Sequence, residues 1–292
     1  IGVKALGESA GADWERTGFS RFALIVAVIF IICITATCLK IKEKSTVDMD
    51  TVSVKEMFRA LFRNDQAMVV VATIVLVNSA IYITSNLVIY FFKYDVGGAE
   101  WYNSYTLFNT FGGAVQILSM MLLLPLLRKL MSVMRLTKVC FGMFIFGYLS
   151  LLAICFTDMK SVVVLFIPGF FIFAANGIMT VLTTVFLANS VDYGEWKNGR
   201  RDESVIFSMQ TFVVKLASGV SAFVASVCLS VFQISKDTES VDAVITASSS
   251  IIGLRMTMTI LPVLGIVAAV IVFTKKFILS EEKMEEITKE RL

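Results

Sequence analysis

Seven long runs free of charged residues dominate the sequence: Phe22–Leu39, Ala67–Phe92, Trp101–Leu127, Val139–Thr157, Ser161–Val191, Ser204–Ser235 (broken only by Lys215) and Met256–Thr274. About 20 apolar residues in an α-helix cross the hydrocarbon core of a bilayer. Backbone groups in lipid must be satisfied inside each segment, so each run predicts a membrane-spanning helix. Barrel strands would alternate polar and apolar residues over about ten positions, and these runs are longer and apolar all round. The reading is an all-α membrane protein. Composition agrees, with 57% hydrophobic and 17% charged residues, against roughly 45–50% and 25% in soluble domains. The absence of histidine removes imidazole bases, histidine metal ligands and nucleophile–histidine pairs. A net charge of +3, with no basic stretch interleaved with aromatic residues, gives no reason to expect nucleic acid.

Orientation follows from the lysines and arginines, which concentrate on the cytoplasmic side of membrane proteins. The loops after the first, third and fifth runs, together with the tail, hold 18 of the 26 cations, against six on the other side. This places the C-terminus in the cytoplasm and Ile1 outside. The sequence opens on Ile1 without a signal segment, so an odd number of spans is expected upstream. Pro125, Pro168 and Pro262 lie inside runs and read as local kinks whose freed backbone groups neighbouring helices satisfy. The five cysteines lie in apolar runs without C-x-x-C spacing and read as small hydrophobes.

Two amphipathic stretches flank the membrane. Val52–Arg63 places Val54, Met57, Phe58, Leu61 and Phe62 at helical spacing and reads as a cytoplasmic surface helix. The charged tail Ser280–Leu292 carries a thin apolar stripe of Met284 and Ile287.

Lys215 lies near the middle of the sixth run, where an ionisable side chain is costly unless it is paired or faces water. Thr211 precedes it by one helical turn and shares its face, and Gln210 stands beside them. Arg255 begins the last run and reads as a snorkelling cation. Asn78, Tyr82 and Ser85 or Asn86 form one polar stripe, and Asn176, Thr180 and Thr184 another. Such stripes either bond neighbouring helices or line a hydrated cavity; beside Lys215 they favour the cavity. The segment Asn189–Ser204 reads as a loop of alternating charge containing Asp192, Glu195, Arg201 and Glu203. It is either a solvated loop or a set of ion pairs that latches one side of the bundle. No metal site and no catalytic constellation emerge, since Lys215 is the only charge well inside the runs.

The segment Val191-Asp-Tyr-Gly-Glu-Trp-Lys197, with Arg201, Ser204 and Ser208-Met-Gln-Thr-Phe-Val-Val-Lys215, resembles the melibiose-permease-like glycoside–pentoside–hexuronide:cation symporters. The resemblance extends to Arg63-Asn-Asp-Gln66, Tyr90-Phe-Phe-Lys-Tyr94 and Gly253 through Leu261-Pro262. It implies a major facilitator fold in which these seven helices correspond to helices 6–12, the N-terminal part being absent. In that frame residues 1–39 are the last helix of the N-terminal half with its external lead-in, and 40–66 a cytoplasmic middle loop with an amphipathic helix. Residues 67–274 are a C-terminal six-helix bundle, and 275–292 a cytoplasmic tail.

The same resemblance implies roles. Lys215 matches a lysine near both the cation and the sugar sites, with Gln210 and Thr211 as its neighbours in the sugar cavity. Asp192, Glu195 and Arg201 match a cytoplasmic ionic latch. Thr180 stands where the family's best-known member has a cavity tryptophan, and Asn189 where it has an aspartate. The implied function is symport of a sugar or glycoside with a coupling cation, Na+ or H+, by alternating access, with no other cofactor. The implied setting is a bacterial inner membrane, and the implied state a monomer when full length. A non-transporting sensor or scaffold of the same fold stays open. An intramembrane enzyme is disfavoured because Lys215 has no carboxylate beside it in the sequence.

Overall fold

The computed structural model describes residues 2–7, 9, 11, 14–40, 59, 61–98, 100–157, 161–199, 201–234 and 248–291. The described residues contain no strand. Two compact units divide the chain, Ile1–Val52 and Ser53–Leu292. In the first, α1 (Gly2–Gly7) packs against α2 (Trp14–Lys40). Arg21 Nη1 of α2 donates to Leu6 O at 2.8 Å and to Ser9 Oγ at 2.9 Å.

The second unit opens with α3 (Asp65–Tyr90), prolonged by a π-helical turn, Phe91–Val96. Then α4 (Trp101–Leu118) runs through a π-helical segment, Ser119–Leu123, into α5 (Leu124–Leu130). The remaining helices are α6 (Val133–Cys155), α7 (Val162–Asn198), α8 (Glu203–Val231), α9 (Ser248–Lys276) and α10 (Glu281–Arg291). Among the described residues seven helices are long and apolar enough to cross a membrane, and they coincide with the seven runs.

Helix α3 is central, packing on α7, α8 and α9, while α7 packs on α4 and α6. Lipid offers no hydrophobic force between helices, so close backbone approach at small residues holds such bundles together. At Gly177 of α7 an added Cβ would lie 2.4 Å from Gln116 O of α4, a contact only glycine permits. At the tail end of the bundle, a cluster of phenylalanine rings fills the core. Phe273 lies 5.2 Å from Phe186 and 4.7 Å from Phe277, centroid to centroid.

At Pro125 and Pro262 the neighbouring structure accommodates the ring. Proline lacks an N–H and crowds the carbonyl four residues before it; the π-helical segment just ahead of Pro125 absorbs that crowding. Pro262 frees the carbonyl of Met258, and the Thr84 hydroxyl of α3 donates to it at 2.8 Å.

The helices extend past their charge-free runs. The fifth run ended at Val191, but α7 continues to Asn198, so Asp192 and Glu195 sit on helix and not in a loop. Gly199, left-handed at φ 65, ends it, its N–H bonded to Glu195 O. The expected surface helix Val52–Arg63 lies outside the described residues except at Arg59 and Leu61–Arg63, which are helical. The tail stripe forms as read: Ile287 is fully buried, and Met284 packs on the core.

Candidate functional site

Charged side chains converge at the end of the bundle where α7 finishes. Arg201 lies just beyond the α7 cap. Its Nη1 donates to Asp192 Oδ1 and to Glu195 Oε2, each at 2.9 Å, and its Nε to Glu203 Oε2 at 3.1 Å. The three expected latch residues therefore meet around one guanidinium, and Glu203 at the start of α8 joins them. Bonds to Glu195, Glu203 and Asp192 push the Arg201 pKa above its ordinary value. All four groups are partly solvated. The arrangement ties the end of α7 to the start of α8 and holds a fixed positive charge among three carboxylates.

A second knot lies beside it. Asn64, buried at the start of α3, accepts from the Ala67 N–H at 3.0 Å and donates to Ser190 O of α7 at 2.7 Å. Gly194 makes this approach possible, since an added Cβ would lie 2.5 Å from Asn64 Nδ2. The neighbouring Asp65 accepts from Lys197 Nζ at 2.6 Å and from the Tyr193 hydroxyl at 3.2 Å. Gln66 Oε1 accepts from the Ile278 N–H at 3.0 Å, linking α3 to the segment after α9. Helix α10 completes the knot: Trp196 Nε1 donates to Glu290 at 2.7 Å, and Glu281 pairs with Arg128 at 2.7 Å.

None of Asn64, Asp65, Gln66, Tyr193 and Lys197 stood out individually in the sequence. The signal was there as two motifs, Arg63–Gln66 and Val191–Lys197, with nothing to show that they touch.

The mid-bundle residues are arranged differently. Lys215 lies twelve residues into α8, about 18 Å at 1.5 Å per residue. Lys215 and Thr211 are both exposed on α8, and Gln210 is half-buried. Among the described residues Lys215 has no ion-pair partner. Asn78 and Tyr82 of α3 and Asn176 of α7 are half-buried, and Thr180 is exposed. Asn78 and Thr180 bond back to their own helices, to Ile74 O at 2.9 Å and Asn176 O at 2.8 Å. Among the described residues no hydrogen bond joins these side chains to Lys215; Asn78 and Tyr82 stand on α3, and Asn176 and Thr180 on α7.

Arg255 does not snorkel. Its Nε and Nη2 donate to Asp95 Oδ2 and Oδ1, each at 2.7 Å, with side-chain exposures of 13% and 0%. The Phe156 ring lies 5.5 Å from its guanidinium carbon. Asp95 belongs to the π-helical extension of α3, beyond the charge-free run, so the span does carry a carboxylate, and Arg255 takes it.

The comparisons with known proteins bear on the whole chain. A family model described as MFS/sugar transport protein matches residues 3–277. The chain belongs to this family. A raffinose carrier protein of Pediococcus pentosaceus is 28% identical over 285 residues, covering 96% of this chain and 43% of the relative. A lactose permease of Lactobacillus delbrueckii subsp. bulgaricus is 26% identical over 282 residues, covering 95% and 43%. An isoprimeverose transporter of Lactiplantibacillus pentosus is 25% identical over 225 residues, covering 75% and 45%. The chain thus spans less than half the length of these curated relatives, which are carriers and not enzymes. Membership in the MFS sugar transport family makes it a multi-pass membrane protein of the major facilitator class.

Proposed function

We propose that the chain forms the C-terminal wall of a carrier that moves a sugar or glycoside together with a cation, Na+ or H+, by alternating access. The observation that carries this reading is Lys215. A lysine exposed at mid-span without a partner among the described residues is too costly to keep in lipid. Its counter-charge is a carboxylate on the opposing half of the carrier. Transporters of this class bind at the interface between their two halves, which puts Lys215, Gln210 and Thr211 at the substrate and cation, with Asn78, Tyr82, Asn176 and Thr180 lining the wall. The cation and Lys215 compete for the opposing carboxylate, and that competition couples ion binding to the shape of the sugar site.

The Asp192–Glu195–Arg201 cluster serves as the latch at the tail end, which the lysine and arginine bias assigns to the cytoplasm of a bacterial-type cell. Breaking it frees α7 from α8 and opens that end. The relatives named above support a sugar as the cargo, and the carrier works as a monomer. The test is uptake of labelled sugars by cells producing the complete carrier, with the Na+ or H+ gradient intact or collapsed. Accumulation that stops when one gradient is collapsed supports symport; accumulation indifferent to both opposes it.

A further inference from the structure

A pocket of about 50 Å³ lies inside the second unit, opposite the tail end, among α3, α4, α6, α7 and α9. Its walls are Phe92, Phe108, Leu151, Ile172 and Phe173, with Ser85 and Asn109 at its exposed edge. We propose that this pocket is an aglycone subsite, which takes a short saturated substituent of a glycoside while the sugar ring stays outside. The proposal rests on the sugar-transport reading and deepens it.

Three observations carry it. The first is position. Ser85 follows Tyr82 by three residues and Asn78 by seven, so the mouth opens on the face of α3 assigned to the substrate wall. On α7, Ile172 and Phe173 precede Asn176 by four and three residues, one turn from that same wall.

The second is chemistry. The pocket holds two hydroxyls deep inside, Thr84 and Tyr148. Thr84 donates to Met258 O at 2.8 Å, and the Tyr148 oxygen lies 3.3 Å from Thr84 and 3.5 Å from Ala80 O. Thr84 is taken up by the carbonyl that Pro262 frees, and Tyr148 by Thr84 and Ala80 O. A water or sugar hydroxyl needs two to four polar partners, which the interior does not spare. An alkyl group needs none.

The third is size. A cavity of about 150 Å³ accommodates benzene, so this one excludes an aromatic ring or a second sugar and fits a chain of a few carbons. Gly169 sets part of that limit: an added Cβ would lie 3.0 Å from Phe108 Cε2 and 3.7 Å from Phe173 Cε2. A methyl there pushes the Phe108 ring and takes up the space.

Each methylene buried in such a pocket improves affinity about four-fold. The experiment measures competition against labelled sugar uptake by the complete carrier, using n-alkyl β-galactosides and β-xylosides from methyl to hexyl. The readout is the ratio of inhibition constants between chain lengths, which cancels any general loss of activity in a variant. Affinity rises about four-fold per carbon to a maximum near propyl and then falls. Gly169→Ala moves the maximum to methyl or ethyl, and Ile172→Val, which enlarges the pocket, moves it one carbon longer. A flat series, a monotonic rise through hexyl, or a maximum that neither variant moves overturns the subsite while leaving sugar transport standing. Absence of labelled sugar uptake overturns the transport reading itself, and the subsite with it.

Discussion

Replacing Asp95 with Asn removes one charge from the best-buried ion pair among the described residues. Two 2.7 Å bonds join it to Arg255, with side-chain exposures of 0% and 13%. Removing one partner from a buried pair costs about 3–5 kcal/mol, because the other charge stays buried without compensation. In a unit of this size each kcal/mol moves the melting midpoint by about 2–4 °C, so the variant melts at least about 6 °C lower. The protein supplies its own probes. Cys140, Cys155 and Cys228 are buried free thiols, and Cys33 and Cys38 are exposed. In a Cys33→Ser, Cys38→Ser background, a thiol-reactive fluorophore in detergent reports unfolding through the three buried sulfurs. The double replacement Asp95→Leu with Arg255→Met removes both charges and recovers most of the loss, since an apolar pair of similar volume substitutes for a buried ion pair at little cost. A midpoint for Asp95→Asn within about 2 °C of the parent, or a double variant no more stable than the single one, refutes the reasoning.

The same melting assay tests the kink. Thr84→Val strips the Met258 carbonyl of its donor and costs about 1–3 kcal/mol, whereas Thr84→Ser costs much less. Arg201→Ala removes the guanidinium that Asp192, Glu195 and Glu203 share and shifts the complete carrier about five-fold or more toward opening at the tail end, read as slower external thiol labelling of cysteines placed in the outer half of the cavity. At the tail, the hydrogen bond to Glu286 raises the Lys283 pKa above its ordinary value. A raised lysine stabilises the folded form fully below the unfolded value of about 10.4 and loses that contribution as pH rises through the folded value. Fluorescence of Trp196, 5.7 Å from Lys283 Nζ, therefore stays constant from pH 7 to about 10 and changes only above it; a transition near neutrality contradicts this.

The spans were legible because lipid excludes charge, so a run without charges marks a helix whatever packs on it. Their ends were not, because a helix persists beyond the hydrocarbon until its backbone is capped; Asn198, where α7 ends, lies seven residues past the end of the charge-free run at Val191. The Arg201 cluster was readable because Asp192, Glu195 and Arg201 fall within ten positions of one another. Asp65 and Lys197 are 132 residues apart, and Asp95 and Arg255 are 160 apart. Pairs at that separation depend on which helices pack together, and apolar runs of equal length carry no such information. That is why Arg255 read as a snorkelling cation. Lys215 stood out for the opposite reason: one charge in a long apolar run needs no tertiary knowledge to be noticed.

The central claim, that Lys215 takes part in ion coupling, is tested most directly by replacing it with Gln in the complete carrier. Ion-driven sugar accumulation and membrane-inserted protein are then counted in the same cells. The account predicts normal insertion with accumulation reduced to the equilibrated level, since the opposing carboxylate loses the competitor that ties ion binding to sugar binding. A lysine that merely reaches for headgroups can be neutralised at little cost, so accumulation at the parent level with normal insertion would remove Lys215 from the mechanism.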